Sequence, residues 1–545
     1  MTDSKNPDKD GLTTSRLMLP AVLFVVLVSF VILVLPDHPG AIRPISFMLL
    51  PIELPLMLLA LVLLPRRIAI AFAALSTLFL FTLFFLKLAD IAVQSAFQRR
   101  FNPYLDIKML ADGWNLLSGT VGKWMAAPVI GLTIAAFLIL ICLHFLAQRQ
   151  MTRLGGPLRK ITILTSLAFL VVGIGLWAFK PKISLIANLR AFSYLENRLE
   201  LVQKSVSDLR TFERDLTSPD PLAEADNLFQ AIKGRDVVLI FVESYGRSAI
   251  EDPLYSPIIQ PRLTAVEAQL QKAGLAIATG WSLSPTMGGL SWLAHGTFLS
   301  GLWVDSQNRY DRLMISERKS LNRLFQQAGW RTAAIMPAIT MAWPEAEYFG
   351  YDQVLAAKDL GYKGKPFNWV TMPDQYTLSA FERLARQPAS EGGKPLMAEI
   401  ALVSSHAPWT PVAKLIDWDD VGDGTVFNEQ ATSGETPREV WSDRKKVQQH
   451  YIGTIDYSLH TLGDYIARFS KDAVFIILGD HQPAPIITGD NAPRSVPVHV
   501  ISKDRDLIKR FEEEGFSSGM TPDASAPETP MNEIRALLAR VFSRQ

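Results

Sequence analysis

The sequence predicts two structural classes in one chain: an α-helical transmembrane domain, followed by an α/β domain with a mainly parallel sheet sandwiched by helices. Apolar runs of about 20 residues, the length at which an α-helix crosses the hydrocarbon layer, occur almost only before residue 181. After residue 234, short apolar segments alternate with stretches of helical periodicity. That alternation is typical of a parallel sheet covered by helices on both faces.

Five apolar runs predict five membrane-spanning helices within residues 1–181. The chain has 545 residues and is 49% hydrophobic, which is high for a soluble protein. Lysine and arginine lie in the short loops before the first run, between the second and third, and between the fourth and fifth, so these loops are predicted to be cytoplasmic. An odd number of spans then places the α/β domain on the opposite face. The runs are Leu17 to Leu35, Ile45 to Leu64, Ile68 to Leu86, Trp124 to Ala147 and Ile161 to Phe179.

The remaining segments complete the predicted organisation. Residues 90–123 combine aromatic and polar side chains and are expected along the outer membrane boundary, either as a tether or as a lid that guides a lipid head group. Residues 182–233 predict a helical linker, 234–515 the α/β domain, and 516–545 a linker with a C-terminal amphipathic helix. The net charge of +1 and the lack of a basic stripe argue against nucleic acid. The single cysteine, Cys142, lies in the fourth run, so disulfides are excluded.

Polar residues follow two of the apolar segments at the point where each predicted strand ends. Glu243 ends the strand predicted at 236–243, and Asp480 and His481 come just after the one at 473–478. A buried carboxylate requires a metal or another cation, and adjacent oxygen and nitrogen ligands suit Zn²⁺ or Mn²⁺. We therefore expect a divalent metal site there, the alternative being polar strand ends without a ligand.

The segment 284–301 changes from turn residues into a helical pattern and carries a candidate nucleophile, Ser291. A hydroxyl near a helix N-terminus faces the positive end of the helix, which suits a phosphoryl oxygen. Coordination to a metal would lower the pKa of the hydroxyl and stabilise a phosphorylated intermediate. Thr286 is the rival hydroxyl, and a glycine-rich turn without chemistry is the alternative.

Other polar residues are candidates for substrate recognition. His406 follows the strand predicted at 396–403 and could hold a phosphate oxygen or protonate a leaving group. The aromatic and polar segment 367–376 could line a head-group or acceptor pocket or could be a turn before a helix. A histidine within a strand, as at position 499, can also be a core residue. The candidate substrate contacts are Thr286, His295, Asp374 and His499.

These motifs carry a resemblance. A strand-end glutamate, a hydroxyl about 50 positions later and a late Gly-Asp-His resemble the alkaline phosphatase and sulfatase superfamily. With five spans, the chain is similar to its membrane-anchored transferases: lipid A phosphoethanolamine transferases, lipoteichoic acid synthases and glucan phosphoglycerol transferases. The resemblance implies Glu243, Asp480 and His481 as metal ligands, Ser291 as a nucleophile that also touches the metal, and His406 as a phosphate-binding histidine.

The chain departs from the family pattern in two respects. Sulfatases carry proline and arginine two and four positions after the nucleophile, where this chain has Leu293 and His295, which argues against a sulfate ester. The phosphoethanolamine transferases usually have threonine as nucleophile and several disulfides, whereas this chain has Ser291 and no disulfide.

The resemblance implies a multi-pass enzyme of the bacterial inner membrane, with its catalytic domain outside the cytoplasm. It would move a phospholipid head group, phosphoglycerol or phosphoethanolamine, to an envelope glycan or lipid through phospho-Ser291, with Zn or Mn as cofactor. One alternative is a phosphodiesterase or phosphatase that uses water as acceptor. Another is a non-catalytic scaffold that binds a lipid or glycan.

Overall fold

The computed structural model describes residues 7–106, 114, 123–179, 187–387 and 393–544. The chain forms two compact units. The membrane unit comprises Met1–Ser95 and Arg99–Val206, and the α/β unit comprises Ala96–Gln98 and Ser207–Gln545. The division at residue 206 falls inside a helix, between the boundaries predicted at residues 181 and 233.

The membrane unit is built of helices. Among the described residues, three are long and apolar enough to cross a membrane: Arg66–Phe97, Trp124–Met151 and Gly156–Gly175. A two-stranded parallel ladder joins β1 (Leu50–Pro51) to β2 (Ala187–Asn188). The helices are α1 (Pro7–Val34), α2 (Glu53–Leu63), α3 (Arg66–Phe97), α4 (Lys123–Met151), α5 (Gly156–Phe179) and α6 (Arg190–Thr217).

The other two predicted spans are shorter than expected. The apolar part of α1 is Met18–Val34, and the run from 45 to 64 is a continuous helix only over Glu53–Leu63. With 11 residues, α2 is about 16 Å long, roughly half of the hydrocarbon thickness. Short 3₁₀ turns at Pro39–Ala41 and Pro44–Met48 precede it, since proline cannot donate to a continuing helix. Among the described residues, three of the five predicted spans are therefore long apolar helices. The count of five spans stays a prediction.

Part of the predicted interfacial segment 90–123 is described. Helix α3 continues to Phe97, and a short loop follows in which Arg99 donates to both carboxylate oxygens of Asp106, at 2.7 and 2.8 Å. Residues 107–113 and 115–122 lie outside the described residues. The tether and lid interpretations remain predictions.

The described residues of the α/β unit contain one nine-stranded mixed sheet. Its order is β10-β4-β9-β8-β3-β7-β5-β6, with β11 also pairing with β4. The five strands from β8 to β6 are parallel, whereas β9 is antiparallel to both of its neighbours. The α/β class is as predicted, with an antiparallel edge added. The strands are β3 (Asp236–Val242), β4 (Ala276–Leu283), β5 (Arg331–Met336), β6 (Gln353–Ala356), β7 (Leu396–Leu402), β8 (Ala473–Gly479), β9 (Ser495–Ser502), β10 (Ser517–Ser518) and β11 (Glu528–Pro530).

Helices cover both faces of the sheet, which explains why its central strands are apolar throughout. In β3, Val238, Ile240 and Val242 pack into one hydrophobic core. The alternate residues of the same strand, Val237, Leu239 and Phe241, pack into a second core. Because neighbouring side chains of a strand point to opposite faces, a strand buried on both sides must be a continuous apolar run.

The helices of the α/β unit vary from single turns to 26 residues. The segment 516–530, predicted to be a linker, contributes β10 and β11 to the sheet edge, and the C-terminal helix follows at Met531. The helices are α7 (Arg247–Glu251), α8 (Ser256–Lys272), α9 (Ser291–Ser300), α10 (Gln307–Met314), α11 (Leu321–Gln327), α12 (Ala346–Phe349), α13 (Asp374–Phe381), α14 (Asn428–Ala431), α15 (Pro437–Trp441), α16 (Arg444–Phe469), α17 (Pro485–Thr488), α18 (Arg505–Glu513) and α19 (Met531–Ser543). A π-helical turn, Glu382–Arg386, continues α13, and 3₁₀ turns lie at Gln230–Ile232, Ala357–Asp359, Trp418–Asp420 and Thr425–Phe427.

Candidate metal centre and nucleophile

Two neighbouring parallel strands bring the predicted metal ligands together. Val242 of β3 pairs with Gly479 of β8, and both are the last residues of their strands. Glu243 and Asp480 therefore leave the sheet side by side at its carboxyl edge, where open α/β folds bind ligands. A Cβ atom on Gly479 would lie 1.8 Å from the carbonyl oxygen of Tyr245, so only glycine permits this close approach.

Backbone amides and one hydroxyl hold the two carboxylates in place. The Oδ1 atom of Asp480 accepts from the amides of Ser244 at 2.8 Å and His481 at 2.7 Å. Ser244 has a left-handed backbone with φ of 58°, and its hydroxyl donates to Glu243 Oε1 at 3.0 Å. A non-glycine residue with positive φ is uncommon, and here it directs an amide toward Asp480. The side chain of Asp480 is buried.

His481 presents Nε2 to the carboxylates. Its Nδ1–H donates to the carbonyl of Gln482 at 2.8 Å, which orients the ring so that Nε2 is the nitrogen that would bind a metal. Nε2 lies 3.3 Å from Glu243 Oε1 and 3.8 Å from Asp480 Oδ2. One ligand atom from each of these three residues lies within 4.8 Å of the others.

Ser291 completes this cluster. Its hydroxyl donates to Glu243 Oε2 at 2.9 Å, and its Oγ lies 3.2 Å from His481 Nε2. Ser291 is the first residue of α9 and follows Leu290, whose φ of 64° makes a sharp turn into the helix. The amide of Gly288 donates to the carbonyl of Gln482 at 2.8 Å, which ties the turn to the segment after His481.

Thr286, the rival hydroxyl, shapes the turn before the helix. Its Oγ1 donates to the carbonyl of Gly289 at 2.7 Å, within the same glycine-rich segment. The structure thus brings Ser291 to the predicted ligands and gives Thr286 a backbone partner.

The three ionisable groups perturb one another strongly. Burial, reinforced by the nearby carboxylate of Glu243, raises the pKa of Asp480 to about 7. Burial also opposes ionisation of Glu243, but the charge of His481 outweighs it and holds the pKa of Glu243 well below its usual range. Burial acts to lower the pKa of His481, but the charges of Asp480 and Glu243 raise it to about 9. Two carboxylates and an imidazole in such mutual contact call for a cation.

The donor set fits a divalent metal. Glu243, Asp480 and His481 supply two carboxylates and one imidazole nitrogen, and Ser291 supplies a hydroxyl oxygen. Zn²⁺ accepts all of these donor types, and Mn²⁺ also takes carboxylates and imidazole. The hydrogen bonds to Asp480 and His481 are the outer contacts that orient metal ligands in proteins.

His406 lies beside the ring of Trp369, which belongs to the aromatic segment 367–376. Its ring stacks on Trp369, with centroids 3.9 Å apart and planes 18° from parallel, and its Nδ1–H donates to the carbonyl of Ala407 at 2.6 Å. Phe367 and Val370 of the same aromatic segment line a small cavity of about 10 Å³ together with His406. The charge of His406 also contributes to the low pKa of Glu243. This part of segment 367–376 therefore packs against His406.

His295 has an internal partner that sequence analysis missed. Its Nδ1–H donates to Glu399 Oε1 at 2.6 Å, and its ring stacks on Phe241 at a centroid distance of 3.8 Å. Glu399 also accepts from the hydroxyl of Tyr351 and is 1% exposed. The sequence does mark this partner, because Glu399 is a charged residue within the otherwise apolar strand β7.

Two of the candidate substrate contacts are core residues. Asp374 is fully buried, and its carboxylate accepts from the amides of Val403 and Ser404 and from the hydroxyl of Ser458. These bonds fasten the start of α13 to the end of β7 and to α16. The structure therefore corrects the expectation that Asp374 contacts a substrate.

His499 is corrected in the same way. It is fully buried in β9, with Nδ1 2.9 Å from the hydroxyl of Thr279 and Nε2 3.2 Å from that of Tyr245. Because the Thr279 hydroxyl donates to Gly519, Nδ1–H is the donor to Thr279 and Nε2 accepts from Tyr245. Burial lowers the pKa of His499 to about 3. His499 is the satisfied core histidine that was the alternative interpretation.

Part of the chain matches a known protein family. Residues 235–495, which contain the four clustered residues, match the family described as Sulfatase. No curated protein sequence matches the chain.

Several solved structures match part of the chain at low identity. The lipoteichoic acid synthase LtaP from Listeria monocytogenes is 16% identical, covering 52% of this chain and 69% of that one, with a TM-score of 0.35. The C-terminal periplasmic domain of EcEptC from Escherichia coli is 14% identical, with coverages of 57% and 82% and a TM-score of 0.37. The soluble domain of lipooligosaccharide phosphoethanolamine transferase A from Neisseria meningitidis is 11% identical, with coverages of 59% and 89% and a TM-score of 0.40. Because each TM-score is below 0.5, the family assignment rests on the match of residues 235–495.

Proposed function

Because residues 235–495 belong to the alkaline phosphatase and sulfatase superfamily, we propose that the protein is a metal-dependent phosphotransferase. It transfers a phospholipid head group, phosphoglycerol or phosphoethanolamine, to an envelope glycan or lipid through a covalent phospho-Ser291 intermediate. The observation that carries this proposal is the position of the Ser291 hydroxyl, 2.9 Å from Glu243 Oε2 and 3.2 Å from His481 Nε2. A serine held among buried metal-type ligands matches an activated nucleophile.

In the first step, Ser291 Oγ attacks the phosphorus of the donor lipid. The Oγ–P bond forms and the P–O bond to diacylglycerol breaks, while the serine proton passes toward Glu243 Oε2, its hydrogen-bond acceptor. A divalent ion held by Glu243, Asp480 and His481 would polarise the phosphate and lower the pKa of the serine hydroxyl. The start of α9 at Ser291 directs its positive helix end toward the same position.

His406 is proposed to be the general acid that protonates the leaving group. Its Nδ1–H is engaged by the carbonyl of Ala407, so Nε2 is the ring nitrogen that carries the exchangeable proton. In the first step, imidazolium His406 would give that proton to the departing diacylglycerol oxygen. In the second step, an acceptor hydroxyl attacks the phosphorus and its proton passes to His406. The bond from Ser291 to phosphorus breaks, and Ser291 Oγ takes back its proton from the side of Glu243 Oε2.

The membrane unit supports a lipid donor. Three described helices are long and apolar enough to span a bilayer, which would keep the catalytic residues close to phospholipids. The basic short loops favour an orientation with the α/β unit outside the cytoplasm, in the inner membrane of a bacterium. Leu293 and His295, at the positions where sulfatases have proline and arginine, argue against a sulfate ester as substrate.

Intact-protein mass spectrometry tests the proposal directly. The full-length protein is incubated with phosphatidylglycerol or phosphatidylethanolamine and with Zn²⁺ or Mn²⁺. We expect an added mass on the wild type that is absent from Ser291→Ala, and its size identifies phosphoglycerol or phosphoethanolamine. Thr286→Ala serves as the matched control, because it removes the rival hydroxyl and should still form the adduct.

The other outcomes separate the alternatives. Release of head group without an adduct, at a rate that Ser291→Ala abolishes, would favour hydrolysis with water as acceptor. An adduct that persists in Ser291→Ala would reject Ser291 as the nucleophile. Neither adduct nor release with any metal and either lipid would reject the transferase and favour a binding role.

A further inference from the structure

The membrane unit contains a cavity of about 270 Å³ where the C-terminal end of α1 meets α3 and α6. Its lining includes three basic side chains and one acidic side chain. Ligand pockets in proteins are of about 300–1,000 Å³, so the cavity is large enough for a small polar group and too small for a whole lipid. The charged lining residues are Lys87, Arg100, Arg198 and Asp37.

Arg198 is the most deeply buried of these cations, with 7% of its side chain exposed. It donates to the carboxylate of Asp90, to the carbonyl of Phe101 and, at 2.8 Å, to the hydroxyl of Tyr194. Its Nε–H has no hydrogen-bond partner among the residues that the structure describes. A buried guanidinium donor without a partner carries a desolvation penalty, which an anionic ligand in the cavity would remove.

Lys87 adds a second buried cation at the same place. Its ammonium donates to the carbonyls of Ile32 and Leu33, at 3.0 and 2.9 Å, in the last turn of α1. These contacts hold the ammonium at the C-terminal end of that helix and put a positive charge on the cavity wall. Arg100 lines the cavity from the loop after α3 and is exposed.

The position of Lys87 along α3 places the cavity at a membrane boundary. Lys87 is 21 residues beyond Arg66, the first residue of α3, which corresponds to about 32 Å of helix. The hydrocarbon layer is about 30 Å thick. If Arg66 marks one boundary, Lys87 therefore lies at the other, at the depth of the phospholipid phosphates.

We propose that this basic cavity binds the phosphodiester of a phospholipid head group from the adjoining leaflet. The excess of positive charge selects the phosphate, and Leu33, Leu35 and Leu201 on the cavity wall suit the glycerol and upper acyl carbons of a lipid better than a free ion. The site is separate from Ser291 and binds without any bond being made or broken. It does not depend on the chemistry proposed for the α/β unit.

Asn197 provides a sharp test, because it lines the cavity and is exposed. Asn197→Asp keeps the size of the side chain and adds one negative charge beside the proposed phosphate site. Gln203→Glu is the matched control, since it makes the same amide-to-carboxylate change on an exposed residue of α6 that does not line the cavity. A second pair compares Arg100→Gln with Arg67→Gln, an exposed residue at the opposite end of α3.

Native mass spectrometry of the full-length protein in detergent measures the binding. We expect wild type and both controls to bind one phosphatidylglycerol, and Asn197→Asp and Arg100→Gln to bind it about tenfold more weakly, as one lost or opposing charge near a phosphate implies. Diacylglycerol, which lacks the phosphate, should bind no better than it does to Asn197→Asp.

Three results would overturn the proposal: equal phosphatidylglycerol binding by all variants, equal binding of diacylglycerol, or loss of binding in the controls as well. Inorganic phosphate that displaces the lipid at equal concentration would assign the cavity to a free anion and reject the lipid. Ser291→Ala should bind as the wild type does, so that failure of this inference and failure of the transferase proposal are distinguished.

Discussion

Val242 and Gly479 face each other in parallel register at the ends of β3 and β8. This single pairing sets the separation of Glu243 and Asp480, because each carboxylate belongs to the next residue along its strand. The absence of a side chain on Gly479 lets the turn at Tyr245 cross directly over the strand end. The placement of these two carboxylates therefore depends on a contact between backbones.

Gly479→Ala should weaken metal binding without unfolding the α/β unit. The added Cβ would lie 1.8 Å from the Tyr245 carbonyl oxygen, so the turn that carries Glu243 and Ser244 must move away from Asp480. Loss of the contacts that orient metal ligands lowers the affinity for the metal by about 10- to 100-fold. Metal titration by calorimetry measures the loss. Gly453→Ala is the control, because its Cβ would make only ordinary contact, at 3.7 Å, within α16; an equal affinity in both variants would contradict the expectation.

Asp480→Asn should have opposite effects on the metal-free and metal-loaded protein. The folded-state pKa of Asp480 is raised to about 7, so above that pH the ionised carboxylate destabilises the metal-free fold. At pH 8 with a chelator, the variant should therefore melt at a higher temperature than the wild type. With metal at about 1,000 times its Kd, the wild type should gain about 4 kcal/mol, and the variant should lose most of that gain.

Asp374→Asn is the matched control for this experiment. It changes another fully buried carboxylate, but one whose partners are Val403, Ser404 and Ser458. The metal-induced rise in melting temperature should remain. Loss of that rise in Asp374→Asn, or its persistence in Asp480→Asn, would remove Asp480 from the ligand set.

Trp369→Ala should reduce turnover more than stability. Trp369 is 47% exposed, so truncation removes little buried area, but it deprives the His406 ring of its stacking partner. Because positioned proton transfer contributes about 10²- to 10⁴-fold to rates, we expect about a tenfold loss of turnover from a misplaced imidazole. Trp369→Phe should restore most of it. Trp441, equally exposed at 45% and stacked on Trp409, is the control residue, and Trp441→Ala should retain turnover.

The stability of the α/β unit should fall in acid because of His499. The pKa of this histidine is lowered from 6.5 to about 3 in the folded state by burial. Below pH 6.5 the unfolded chain therefore binds a proton that the folded chain excludes, so the stability contributed by His499 is complete above pH 6.5 and is lost toward pH 3. The cost is about 1.4 kcal/mol for each pH unit.

Hydrogen exchange of the β9 amides measures this dependence. Between pH 7 and pH 5, the free energy of opening of the wild type should fall by about 2 kcal/mol more than that of His499→Gln, which cannot titrate. Comparison at each pH cancels the intrinsic effect of pH on exchange. The same decrease in both proteins would show that His499 is not the titrating group.

The four clustered residues were predictable because local sequence defines them. A strand that is apolar at every position indicates that both of its faces are buried. Polar residues directly after the parallel strands β3 and β8 then lie at the same edge of the sheet. The family match over residues 235–495 confirms the superfamily resemblance drawn from those motifs. The sequence alone does not distinguish Ser291 from Thr286 as the candidate nucleophile, because Thr286 lies just before α9 and Ser291 begins it. Their different hydrogen-bond partners distinguish them in the structure.

The errors arose where partners are distant in sequence. Asp374 meets Ser458 across 84 positions, and His499 meets Tyr245 across 254 positions. A polar residue at a strand looks the same in sequence whether its partner is a ligand or another core residue. In the apolar run from 45 to 64, hydropathy does not register the turns that leave only Glu53–Leu63 as continuous helix.

The central position of β3 imposes an order on biosynthesis. β3 ends at Val242, whereas its neighbours β7 and β8 begin at Leu396 and Ala473. At 5–20 residues per second, β8 follows β3 by about 10 to 50 s, and during that time a fully apolar strand has an unpaired edge. The nascent chain must be kept from aggregating through this interval. Since Asp480 and His481 directly follow the last of these strands, they cannot join Glu243 until that strand has been made.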